Sequence, residues 1–163
     1  MTDQELIQHA LEVRRNSYSP YSNFAVSAAL LSDDNRVFTG VNVENSSFGL
    51  TNCAERVAIG SAITAGARSF TTLAIVLKGG GSPCGACRQV LYEFAPSLRI
   101  LMADEQGHVV KSCTLADLLP EAFGPTLTYR RPRRPLVVER DAFCSCERRR
   151  LKNSSTVMSP LAS

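Results

Sequence analysis

Apolar positions follow two rhythms along this chain, and the changes between them predict its elements. Leu6, Ile7, Ala10 and Leu11 recur at helical spacing behind Thr2 and Glu5, which fit the two halves of a capping box. The chain therefore opens on an amphipathic helix. The segment Ser17-Tyr18-Ser19-Pro20-Tyr21-Ser22-Asn23 is rich in turn formers. Phe24 to Leu31 and Arg36 to Val43 then read as strands of a hairpin around Ser32-Asp33-Asp34-Asn35.

Helical spacing returns from Cys53 to about Ala65, where Ala54, Val57, Ala58, Ala62 and Ile63 predict a mostly buried helix with Asn52 as its cap and Gly66 as its stop. Leu73 to Leu77 is a short apolar strand. Three glycines, Gly79 to Gly81, lead to Pro83, which suits a first helical turn, and a helix is expected from Cys84 to about Phe94. Strands at Leu98 to Ala103 and His108 to Lys111 flank a turn at Gly107, and Thr114 to Leu119 makes a short helix. Strands alternating with helices predict one α/β domain, a mixed sheet covered by helices.

The regular pattern ends near Leu127. Beyond it come Arg130-Arg131-Pro132-Arg133-Arg134-Pro135, Cys144-Ser145-Cys146, Arg148-Arg149-Arg150 and a serine-rich end. We read residues 1–127 as the folded domain and 128–163 as a basic, disordered tail. Charge follows the same division. The net charge is +3, yet residues 1–127 carry nine Lys or Arg against twelve Asp or Glu, and residues 128–163 carry nine against three. The body is acidic, which argues against a nucleic-acid surface there. No apolar run approaches the roughly 20 residues of a membrane span, and the acidic N-terminus is unlike a secretory signal, so a cytoplasmic location is expected.

In a reducing compartment six cysteines suit metal binding or catalysis better than crosslinks. Cys84 and Cys87 stand three residues apart at a helix start, so both thiols face one side. Taken alone, this pair fits half of a structural zinc site, a redox couple or a catalytic centre. Cys53 adds a third thiol at another helix start, where the helix dipole favours thiolate. Three thiolates leave the fourth tetrahedral position open, as in catalytic zinc sites, and Glu55 is placed to move protons there. Its bland alternative is a carboxylate that only complements the dipole. His9 and His108 fit neither motif and are expected on the surface.

Cys53-Ala54-Glu55-Arg56, together with Pro83-Cys84-Gly85-Ala86-Cys87-Arg88-Gln89, closely resembles the cytidine deaminases, a likeness that covers nearly all of residues 3–125. The resemblance implies a three-layer α/β/α fold with a mixed five-stranded central sheet. It implies one zinc ion per chain on Cys53, Cys84 and Cys87, with Glu55 as the catalytic acid and base in hydrolysis at carbon 4 of cytosine. Arg56 would offset the charge of the thiolates.

Asn42 and Glu44 fall on one side of a strand end, where turn capping is the plain reading. The resemblance instead makes them ribose ligands on the 3′ side of the sugar. It extends the substrate site through Val43, Asn45, Ser46, Ser47, Phe48 and Ala54, and it adds Phe24 packing on the pyrimidine. Phe48 stands where the family often has tyrosine, so a role needing a phenolic hydroxyl is absent here. Phe123 matches an aromatic that enters a neighbouring subunit's site, which implies a homotetramer.

Cytidine and deoxycytidine are the expected substrates, in pyrimidine salvage, with no nucleic-acid or membrane partner. Three rivals differ in class. A deaminase of another free nucleoside, such as blasticidin S, would share the zinc motifs. An editing deaminase would typically carry His-x-Glu in place of Cys-x-Glu. A zinc-stabilised binding module would need a fourth ligand from Cys113, Cys144 or Cys146.

Overall fold

The structure, a computed structural model, describes residues 1–124. Helix α1 (Asp3–Arg14) starts as expected, with Thr2 accepting from the Glu5 amide and Glu5 accepting from the Thr2 amide. The hairpin follows as β1 (Ser27–Ser32) and β2 (Val37–Val41), then α2 (Ala54–Thr64), β3 (Phe70–Val76) and α3 (Gly85–Phe94). Strands β4 (Arg99–Ala103) and β5 (Val109–Thr114) and the short α4 (Leu115–Leu118) complete the order. The five strands form one mixed sheet in the order β2-β1-β3-β4-β5, in which only β3 and β4 run parallel.

Period-two alternation along the central strands builds both faces of this sheet. Ala28, Leu30, Leu73, Ile75, Ile100 and Met102 point to one side and pack with Ala54, Ala58, Ile59 and Ala62 of α2 and Leu91 of α3. Ala29, Ala74, Val76, Leu101 and Ala103 point to the other, against Leu6, Ile7 and Ala10 of α1. The layers are therefore α/β/α. Each fully buried Leu or Ile contributes roughly 1.5–3 kcal/mol, so these two clusters hold the helices on the sheet.

Element boundaries differ from the expected ones for local reasons. The first strand was expected from Phe24, but β1 starts at Ser27 because the Asn42 side chain takes both the Phe24 carbonyl and the Val26 amide. Asn52 does not cap α2. Its amide and carbonyl pair with Val43, which keeps it extended and makes Cys53 the cap residue. Pro83 likewise precedes α3, whose cap is Cys84. Gly66 ends α2 as expected, at φ 87°.

Gly40 of β2 has a steric role that no pattern revealed. A Cβ there would lie 2.4 Å from the Ala54 carbonyl oxygen and 2.5 Å from the Ala58 amide nitrogen. Helix α2 thus rests directly on the β2 backbone at its first turn. The expected tail, residues 128–163, lies outside the described residues, as do Cys144 and Cys146. Among the described residues no helix is long and apolar enough to cross a membrane.

Candidate active site

Cys53 and Cys84 are the cap residues of α2 and α3, in extended conformation at ψ 153° and 164°. Cap side chains ordinarily accept from the first-turn amides, yet neither thiol does so here. Both sulfurs are left to meet Cys87, one turn into α3. Cys84 Sγ lies 3.4 Å from Cys87 Sγ and 3.9 Å from Cys53 Sγ, and all three sulfurs fall within 4.8 Å of one another.

Zinc–sulfur bonds of about 2.3 Å at tetrahedral angles set sulfurs about 3.8 Å apart, so this donor set fits zinc with shifts of a few tenths of an ångström in the two Cys84 pairs. Cys87 is buried, Cys53 half-buried and Cys84 exposed, which leaves the cluster open on one side. Cys113 is not part of it. His9 and His108 are exposed, as expected.

The charges around the sulfurs are matched by their neighbours. The Cys53 thiol is pulled down to about 5, chiefly by its hydrogen bond with Cys87 and then, against the effect of burial, by Arg56. Cys87 is pushed up by the same bond and by burial. Arg56 Nη2 sits 3.7 Å from Cys53 Sγ and donates to the Thr51 carbonyl at 2.7 Å, which anchors the guanidinium beside the sulfur. Glu55, in the first turn of α2, is 4% exposed, and burial raises its carboxyl above the ordinary carboxylate range.

A second group of expected residues gathers beside Asn52, the neighbour of Cys53. The Val43 amide and carbonyl both pair with Asn52 at 2.9 Å, and the Glu44 amide donates to the Tyr18 carbonyl at 2.8 Å. Asn42 is 8% exposed. Its Oδ1 accepts from Ser17 Oγ at 2.5 Å and from the Val26 amide at 2.9 Å, while its Nδ2 donates to the Phe24 carbonyl at 2.9 Å. The Glu44 carboxylate accepts from the Tyr21 amide at 2.9 Å, the Ser22 amide at 3.2 Å and the Ser22 hydroxyl. These bonds hold Glu44 below the ordinary carboxylate range, the Ser22 hydroxyl most of all.

The other expected residues lie around this group. Ala54 is fully buried at the start of α2, whereas Asn45, Ser46 and Ser47 form an exposed loop in which Asn45 Oδ1 accepts from the Ser47 amide. Phe24, Val43 and Phe48 are exposed apolar side chains, and Phe48 meets Tyr21 edge to face at 6.1 Å. Phe123 exposes its ring while Gln89 Nε2 donates to its carbonyl at 2.7 Å. The structure therefore brings Cys53, Cys84, Cys87, Glu55 and Arg56 together and joins Val43, between Asn42 and Glu44, to Asn52, the neighbour of Cys53, but it does not show Phe123 reaching the sulfurs.

Sequence reasoning missed Ser17, Ser22, Thr51 and Gln89 as supports. Ser17 and Ser22 lie in the turn-rich segment Ser17 to Asn23, whose composition already accounted for them as turn residues.

Three convergent thiols with a buried carboxylate beside them, on an α/β/α frame, define a zinc-dependent hydrolytic centre. The family model for the cytidine and deoxycytidylate deaminase zinc-binding region matches residues 1–103. A cytidine deaminase of Sporosarcina psychrophila is 44% identical over 126 residues, covering 76% of this chain and 92% of that one. One from Mycobacterium tuberculosis is 46% identical over 119 residues, covering 71% and 85%. The crystal structure of the Burkholderia pseudomallei cytidine deaminase superposes with a TM-score of 0.72 at 48% identity, covering 76% of this chain and all of that one.

The chain belongs to the cytidine and deoxycytidylate deaminase family. Its zinc ligands are Cys53, Cys84 and Cys87.

Proposed function

We propose that this chain deaminates cytidine and 2′-deoxycytidine, with water, to the corresponding uridine and ammonia. The observation that carries the reading is Glu55, buried at the first turn of α2 beside the three-thiol cluster. When bound, zinc supplies the acidity that lets water act as a nucleophile near neutral pH. Glu55 takes one proton from the attacking water and places it on ring nitrogen 3, which makes carbon 4 a better electrophile. It then carries the second proton to the amine, which leaves as ammonia while the oxygen stays on carbon 4.

Three thiolates around a divalent ion leave a net charge of about −1, which opposes ionisation of the water. Arg56, held against Cys53 by the Thr51 carbonyl, offsets that charge. Asn42 retains one unused Nδ2 hydrogen, and Glu44, which already accepts three hydrogen bonds, retains one lone pair on Oε1. A sugar 3′ hydroxyl accepts from the first and donates to the second. Phe24 lies on the pyrimidine, and Val43, Asn45, Ser46, Ser47, Phe48 and Ala54 complete the nucleoside site.

Exposed Phe123, Phe48, Leu50 and Tyr21 suit a homotetramer in which Phe123 closes a neighbour's site. A thiolate zinc centre suits the reducing cytoplasm. The catalytic unit is residues 1–127, and a chain ending at Leu127 keeps its turnover.

The test is conversion of cytidine to uridine by the zinc-loaded protein, beside Glu55→Gln and beside protein stripped by a chelator. Glu55→Gln should keep about one zinc per chain while kcat falls roughly 10²- to 10⁴-fold. Stripped protein should lose turnover and regain it with added zinc. Normal turnover in zinc-replete Glu55→Gln overturns the mechanism.

A further inference from the structure

Ser22 occupies a junction that the proposed reaction does not use. Its hydroxyl donates to Glu44 Oε1 and accepts from the Phe24 amide at 3.1 Å, while its own amide donates to Glu44 Oε2 at 3.2 Å. Asn23, the residue between Ser22 and Phe24, adopts φ 55°, which folds the chain tightly enough for one hydroxyl to reach both neighbours. Ser22 is exposed and buries no part of either apolar cluster. Its side chain therefore has nothing to do for the core, and both of its partners belong to the nucleoside site.

We infer that Ser22 is a positioning residue that fixes the Glu44 carboxylate and the Phe24 backbone at one spacing, and so sets the preference for nucleosides carrying a 3′ hydroxyl. The inference rests on the reading of Glu44 as a ligand of that hydroxyl. A free carboxylate swings through several rotamers, and binding the sugar would then cost the entropy of fixing it. With Ser22 holding one oxygen and two backbone amides holding the other, the carboxylate meets the sugar already oriented. The same hydroxyl ties this orientation to Phe24, so the sugar and base contacts move as one unit.

The experiment compares 2′-deoxycytidine with 2′,3′-dideoxycytidine, which differ only at the 3′ hydroxyl, using the zinc-loaded full chain. The readout is the ratio of their kcat/KM values for the unaltered protein, Ser22→Ala, Ser22→Thr, Glu44→Gln and the Ser22→Ala/Glu44→Gln pair. Losing an oriented hydrogen bond to a charged group should reduce the ratio roughly tenfold in Ser22→Ala, through KM for deoxycytidine rather than through kcat. Ser22→Thr, which keeps the hydroxyl, should retain the ratio, and Ser22→Ala should add less than about twofold on top of Glu44→Gln. Thermal unfolding of Ser22→Ala should stay cooperative, with a midpoint at most about 5 °C below that of the unaltered chain.

If Glu44→Gln loses the ratio and Ser22→Ala keeps it, the inference is overturned and the sugar reading stands. If Glu44→Gln keeps the ratio, both are overturned. Equal losses in Ser22→Ala and Ser22→Thr, or a loss in Ser22→Ala that adds fully to Glu44→Gln, also overturn the inference.

Discussion

The two halves of the site are held in place by different forces. Cys53, Glu55, Arg56, Cys84 and Cys87 ride on the first turns of α2 and α3, whose buried faces lock into the sheet through Ala54, Ala58 and Leu91. Asn42, Glu44 and Phe24 belong to irregular chain on either side of the hairpin, joined by side-chain hydrogen bonds with little buried apolar surface. Core packing is stiff and changes in steps of whole side chains, whereas a hydrogen-bonded loop can be retuned one group at a time. The zinc ligands are thus fixed by the core, and the residues proposed to hold the nucleoside by a network at the surface.

The sharpest way to break this contrast is to disturb the core support of the metal half from a distance. Gly40 touches no sulfur, but any Cβ there meets the backbone of α2 at Ala54 and Ala58. Gly40→Ala should destabilise the fold by about 3 kcal/mol, in the upper range for overpacking a core. Because α2 carries Cys53 and Glu55, the folded fraction should also bind zinc more weakly. Urea unfolding with a zinc titration checks both, and a stability unchanged by the substitution would show that α2 is free to slide on β2.

A smaller effect is expected from Arg56, which touches the thiol cluster without being a ligand. Arg56→Gln removes the positive charge beside Cys53 and should lower turnover or zinc affinity roughly 10- to 100-fold while leaving the fold intact. Measuring kcat and zinc affinity on the same preparation separates the two. No change in either would mean that the guanidinium serves only the Thr51 carbonyl, and that the metal half needs no charge correction.

The same contrast decides what could be read from the residues alone. The opening helix, the hairpin and the order of strands follow from periodicity because each apolar residue answers to one core face. The metal half was legible for a related reason: thiols and a carboxylate at helix starts are rare enough in combination to carry a chemical meaning. Asn42 and Glu44 were ambiguous, since capping a turn and holding a sugar use the same polar atoms. Their partners in the structure are the turn, and that network also displaced the start of β1 from Phe24 to Ser27. Asn52 misled because backbone pairing with Val43, a contact between distant positions, outweighed its capping propensity. Gly40 gave no sign at all, since the helix it admits is remote in sequence.

The smallest expected effect tests the surface network by its own charge. Glu44 is held below its ordinary value of 4.5 by the Ser22 hydroxyl first and then by the amides of Tyr21 and Ser22. Its folded-state pKa is depressed, so the hydrogen bonds contribute stability in full above the unfolded value. That stability declines as pH falls below that value and is gone below the folded one. The amide resonances of Tyr21 and Ser22 should accordingly titrate together with a midpoint under 4.5, and Ser22→Ala should move that midpoint up. A midpoint at or above the ordinary value would mean that the carboxylate swings free of its three donors in solution. The surface half would then lack the preorganisation that distinguishes it from an ordinary loop, and nucleoside preference would have to be set by the metal half alone.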